Sequence, residues 1–127
     1  MIVVDACVLI AHLVRDDALH ARATSLLESL ASEPFGTSPI SLAEVLARPA
    51  RAGRLERTLA ALRTLDITQV GLADDAPARL ADLRAITGLK LPDCCVLLNA
   101  ETSAADIATF DDGLGRAAQA RAIAVHG

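Results

Sequence analysis

The sequence predicts an α/β protein: a three-layer sandwich with a central, mostly parallel sheet flanked by helices. Three observations predict it. Short apolar runs rich in β-branched residues alternate with stripes at helical spacing along the whole chain. The first run passes into a helix with no glycine between them. The chain has 127 residues, 53% of them hydrophobic, enough for one core and too few for two, so residues 1–127 are read as a single domain.

Ile2 to Asp5 is read as a buried strand leading directly into a helix through Cys7, Val8, Leu9, Ile10 and Leu13. A second helix is expected to start near Asp16 or Asp17, either of which could cap it. It carries Leu19, Ala23, Leu26, Leu27 and Leu30 on one face, and Glu33-Pro34 stops it. Phe35 to Ser38 is a second strand; Pro39 then opens a helix through Ile40 to Leu46 that Pro49 and Gly53 are expected to interrupt. Leu55, Leu59, Leu62 and Leu65 form one apolar stripe of the next helix, and Ile67 to Val70 is a third strand. Asp74 or Asp75 caps a helix that Gly88 ends after Thr87. Pro92 suits the first turn of the following helix, expected over Asp93 to Ala100. Ile107 to Phe110, Leu114 to Ala120 and Ala122 to Val125 are read as strand, helix and final strand.

Composition narrows the function. Trp and Tyr are absent and Phe35 and Phe110 are the only aromatics, which excludes recognition of bases by a platform of several rings. No uninterrupted apolar stretch approaches the roughly 20 residues of a membrane helix. Met1 is followed at once by Ile2-Val3-Val4 rather than by a basic, then apolar, secretory leader, so a cytoplasmic location is expected. Cys7, Cys94 and Cys95 match neither a disulfide framework nor zinc-ligand spacing and are read as reduced thiols. The net charge of -4 argues against indiscriminate nucleic-acid binding. Arginines nevertheless crowd locally: Arg48, Arg51, Arg54 and Arg57 recur at every third position and are candidate contacts to RNA phosphates.

Four acids stand where structure alone does not ask for them. Asp5 ends an apolar strand, Glu44 lies among Leu42, Val45 and Leu46, Asp93 precedes Cys94 and Val96, and Asp111 follows the run Ile107 to Phe110. For any one of them a helix cap or a solvated side chain is an equal reading. In a parallel sheet, however, strand ends and the following helix starts converge on one crevice. Carboxylates gathered there repel one another, and a divalent cation is the simplest relief. Oxygen donors select magnesium or manganese over zinc. His12, His20 and His126 lack a partner at metal-ligand spacing and are read as packing or surface residues.

The segments Val3-Val4-Asp5-Ala6-Cys7, Ser41-Leu42-Ala43-Glu44-Val45-Leu46, Leu91-Pro92-Asp93-Cys94-Cys95 and Ala108-Thr109-Phe110-Asp111-Asp112-Gly113-Leu114 resemble, in order, the motifs of PIN-domain ribonucleases. The resemblance is closest to the VapC toxins of bacterial toxin–antitoxin pairs and covers the whole chain. It implies a Mg2+- or Mn2+-dependent endoribonuclease that cleaves a structured cellular RNA, is silenced by a cognate antitoxin and forms a homodimer. Carried over by motif, the catalytic carboxylates are Asp5, Glu44, Asp93 and Asp111, with Asp5, Asp93 and Asp111 as metal ligands. The cation would activate water in line with the scissile phosphorus and neutralise charge on the phosphate oxygens. Thr109 resembles the motif threonine that steadies the site.

Two positions depart from the family pattern. Cys7 stands where relatives commonly carry Ser, Thr or Asn, and Gly113 stands where many carry a further Asp, leaving Asp112 as a neighbouring substitute. These departures motivate an alternative: a catalytically weak PIN-like module that binds RNA or a partner without cutting. A haloacid-dehalogenase-like phosphatase would need an Asp at position 7, and a response-regulator receiver an acidic pair beside Asp5. Both are disfavoured.

Overall fold

The computed structural model describes residues 1–127 and contains five strands and seven helices. In chain order these are β1 (Ile2–Val4), α1 (Ala6–Leu13), α2 (His20–Ser29), β2 (Phe35–Thr37), α3 (Pro39–Arg51) and α4 (Leu55–Thr64). There follow β3 (Thr68–Gln69), α5 (Ala76–Thr87), α6 (Leu91–Ser103), β4 (Asp106–Ala108), α7 (Asp112–Ala120) and β5 (Val125–His126). The sheet runs in the order β3-β2-β1-β4-β5, and every neighbouring pair is parallel.

Parallel neighbours cannot be joined by hairpins, so the intervening chain crosses the faces of the sheet and covers both. The period-2 alternation of β1 sorts the core accordingly. Ile2 and Val4 face a cluster with Val8, Leu9, Ala23, Leu27, Val45 and Leu62, from α1 to α4. Val3 faces the opposite cluster, with Leu83, Leu97, Ile107, Leu114 and Ala118 from α5, α6, β4 and α7. The result is the three-layer sandwich expected from the sequence.

The chain builds β2 and β3 on one side of β1, then returns to lay β4 on the other. Val3 pairs with Gly36 of β2 and with Ile107 of β4. Strand order thus reverses beside β1, and the crevice outside the carboxyl ends of β1 and β4 is the place where such sheets bind ligands.

The differences from the expected elements have local causes. α2 begins at His20 rather than near Asp16, because Asp17 closes a turn: its Oδ1 accepts the Leu19 N–H at 2.8 Å and its carbonyl accepts the His20 N–H at 3.0 Å. Pro49 does not interrupt α3; it lies in the last turn, where its missing N–H costs one bond, and its carbonyl accepts the Arg54 N–H at 2.8 Å. α6 begins two residues early, at Leu91, so that Asp93 falls within its first turn. β4 covers Asp106–Ala108 and releases Thr109 and Phe110 into the loop that follows. Ala122 takes a positive φ of 60° and belongs to the turn before β5 rather than to the strand. Gly88, at φ 68°, ends α5 as expected.

Candidate active site

Asp5 stands at the N-cap position of α1, yet its carboxylate makes no capping hydrogen bond to the helix. The residue is 7% exposed, a burial that demands compensation. Compensation comes from the neighbouring strand's loop. The Thr109 hydroxyl donates to Asp5 Oδ2 at 2.7 Å, and the Cys7 thiol donates to the same oxygen at 3.0 Å. Oδ1 is left without a partner in the protein and is not enclosed, so a hydrogen-bonded oxygen fixes the carboxylate while the other stays open.

The β4–α7 loop is tied into the same network. Thr109 Oγ1 accepts the Asp111 N–H at 3.0 Å, and Cys7 Sγ accepts the Phe110 N–H at 3.4 Å. Asp111 caps α7: its Oδ1 accepts the Leu114 N–H at 2.7 Å. One carboxylate oxygen is therefore committed to the helix and the other is not. A side chain at Gly113 would press on that capping oxygen, 3.2 Å from where its Cβ would stand. Asp112 is exposed in the first turn of α7 and takes no part in these bonds.

Glu44 on α3 and Asp93 on α6 complete the group. Asp93 is pushed up to about 6, by burial first, then by repulsion from Asp5, Asp111 and Glu44, with Lys90 alone opposing. An acid in the first turn of a helix is ordinarily favoured by the helix dipole, so burial and repulsion together outweigh that effect here. Glu44 is raised as well, by desolvation and then by Asp5. The four acids thus act on one another electrostatically, and none of them is in the protein's four ion pairs. Burial and the adjacent Asp5 push the Cys7 thiol up to about 11, which keeps it protonated and able to donate.

The donor set fits a hard divalent cation: it is all oxygen, anionic and unpaired. No three His, Cys, Asp or Glu side chains come close enough to chelate an ion unaided. That spacing suits a hydrated cation better than a dry cage, since Mg2+ keeps several of its waters. The histidines are spent elsewhere: His12 Nδ1 pairs with Thr24 Oγ1, His20 Nδ1 with the Ala11 carbonyl and His126 Nε2 with Asp106. All three cysteines are free.

The family model described as PIN domain matches residues 2–120. The chain belongs to the PIN domain family. Among curated protein sequences none matches. Solved structures that share the PIN fold include a toxin–antitoxin complex from Klebsiella pneumoniae, 24% identical over 87% of each chain with a TM-score of 0.74. FitAB bound to the IR36 DNA fragment is 23% identical over 99% of this chain and 94% of that one, with a TM-score of 0.76. FitAcB from Neisseria gonorrhoeae is 23% identical over 100% and 97%, with a TM-score of 0.73.

Within this PIN domain a cleft of about 680 Å³ opens beside Glu44, between the end of α1, α3 and α4. Arg48, Arg54 and Arg57 line it, and Arg51, also singled out in the sequence, does not. Arg15 joins them from the α1–α2 turn, a placement that the three-residue spacing of the other arginines could not suggest. Leu13, Val14 and Val45 give the cleft an apolar wall. No helix is long and apolar enough to cross a membrane.

Proposed function

We propose that this PIN domain is a metal-dependent endoribonuclease, the toxin of a toxin–antitoxin pair, that hydrolyses phosphodiester bonds in a structured cellular RNA. The observation that carries the reading is the mutual repulsion of Asp5, Glu44, Asp93 and Asp111 at the carboxyl edge of the sheet, with no basic side chain paired to any of them. Asp5, Asp93 and Asp111 would hold Mg2+ or Mn2+, and Glu44 would complete the charge. When bound, the cation supplies activated water and neutralises charge on the phosphate. The chain's own residues orient: Thr109 and Cys7 hold Asp5 Oδ2 and leave Oδ1 free, and the cap to Leu114 fixes Asp111. Asp112 would support the site from outside it.

Arg48, Arg51, Arg54 and Arg57 are our candidates for contacts to the RNA backbone. Three of them share the cleft with Glu44, so a strand lying there would lead to the carboxylates. A cognate antitoxin seated in the same cleft would silence the enzyme by occupying its entrance, and the solved toxin–antitoxin complex from Klebsiella pneumoniae, which has the same fold, supports that partner. We further propose a cytoplasmic homodimer.

The rival reading, a weak PIN-like binding module, rested on Cys7 and Gly113. The donor bond from Cys7 to Asp5 supports the first reading instead. The test is cleavage-site mapping on total RNA after induced expression, with Asp5→Asn as control. Discrete cuts that vanish in Asp5→Asn are expected. Intact RNA in both, with RNA or a partner still bound, would establish the module.

A further inference from the structure

Arg22 lies on the exposed side of α2, and its guanidinium carbon stands 4.7 Å from the centroid of the Phe110 ring. Phe110 is the residue between Thr109, which holds Asp5, and Asp111. Its backbone N–H is bound to Cys7, and its half-buried ring packs against the core cluster of α1 to α4. The ring is thus anchored from two sides, and the guanidinium rests on the loop residue that links Thr109 to Asp111. Arg22 takes part in none of the four ion pairs. All five of its N–H donors therefore remain available, on a planar fork whose geometry matches a phosphate.

We infer that Arg22, backed by Phe110, grips a backbone phosphate of the RNA next to the scissile bond. This rests on the proposed ribonuclease function. An acidic crevice repels a polyanion, so a strand entering it must be held by cations that no protein acid has neutralised. Arg22 meets that condition, and the aromatic ring removes much of the freedom that a surface arginine would otherwise lose on binding. Arg22 is a substrate-positioning residue, and Phe110 positions Arg22. Arg22 is not among the arginines that line the cleft, so from α2 it would add a phosphate contact separate from theirs.

The test uses Asp5→Asn as a background that binds RNA without cutting it. In that background, the affinity for a single-stranded RNA is measured against salt with Mg2+ present, alone and combined with Arg22→Gln or Phe110→Leu. Arg22→Gln is expected to weaken binding about 5- to 20-fold at low salt and to flatten the log–log salt slope by about 0.7, the loss of one phosphate contact. Phe110→Leu keeps the charge, so it is expected to weaken binding less and leave the slope in place. The melting temperature of Arg22→Gln should match that of its background, which separates a binding role from a structural one. Unchanged affinity and slope in Arg22→Gln, with the background still binding, would overturn this inference alone. No RNA binding by the background at any salt would overturn the ribonuclease reading and this inference with it.

Discussion

The Thr109 hydroxyl donates to Asp5 Oδ2 at 2.7 Å and accepts the Asp111 N–H at 3.0 Å, so one atom joins the acids at the ends of adjacent parallel strands. Residues 104 positions apart in sequence meet because β1 and β4 are neighbours at the reversal of strand order. Thr109→Val keeps the shape and removes both bonds. It is expected to cost about 1–3 kcal/mol of stability in urea unfolding. Loss of a group that orients a ligand carboxylate should lower cleavage on the order of 10- to 100-fold. Thr109→Ser should recover most of both.

The raised Asp93 makes a prediction about pH. Its folded value of about 6 lies above the ordinary 3.8, so between these values the folded state binds more protons than the unfolded one. Stability contributed by this group is fully present below about pH 4 and is lost as the pH rises to about 6. Urea unfolding across this window, with divalent cations chelated, should show the decline, and Asp93→Asn should flatten it. An unaltered slope in the variant would remove Asp93 from the repelling group.

Asp111 and Asp112 are adjacent acids with different environments. Asn can replace Asp as a cap, so Asp111→Asn should fold while losing the charge that the cation needs. Its loss of cleavage should exceed that of Asp112→Asn by at least about tenfold. The opposite ranking in a cleavage assay would make Asp112 the functional acid.

Cys7 is a hydrogen-bonded member of the site. Cys7→Ser keeps a donor for Asp5 and an acceptor for Phe110, and should leave cleavage within a few-fold of the wild type. Cys7→Ala removes both roles and should cost about 1 kcal/mol in thermal or urea unfolding, together with a larger loss of activity. Equal behaviour of the two variants would reduce Cys7 to packing.

Most of the architecture was legible in the chain. The continuous β-branched run of β1 and the apolar stripe of α4 are local signals, carried by a strand buried on both faces and by one face of a helix. The boundaries were less so. Asp17 has the chemistry of a helix cap and uses it in a turn, and Pro49 reads as a breaker although in a last turn it breaks little. The four acids were legible as residues out of place, but spacing cannot reveal that Asp5 withholds its carboxylate from capping whereas Asp111 caps; that depends on Thr109 arriving from another strand. The meeting of Arg22 with Phe110 left no local trace, because it is made by the packing of α2 beside the β4–α7 loop.

The central claim is that Asp5, Asp93 and Asp111 hold a divalent cation whose charge Glu44 helps to balance, and calorimetric titration of the purified protein with Mn2+ tests it most directly. Wild type should bind, and Asp5→Asn and Asp93→Asn should each weaken binding by about tenfold or more, with Glu44→Gln and Asp111→Asn in the same direction. Affinity unchanged in both Asp5→Asn and Asp93→Asn, or no Mn2+ binding by the wild type, would contradict the claim.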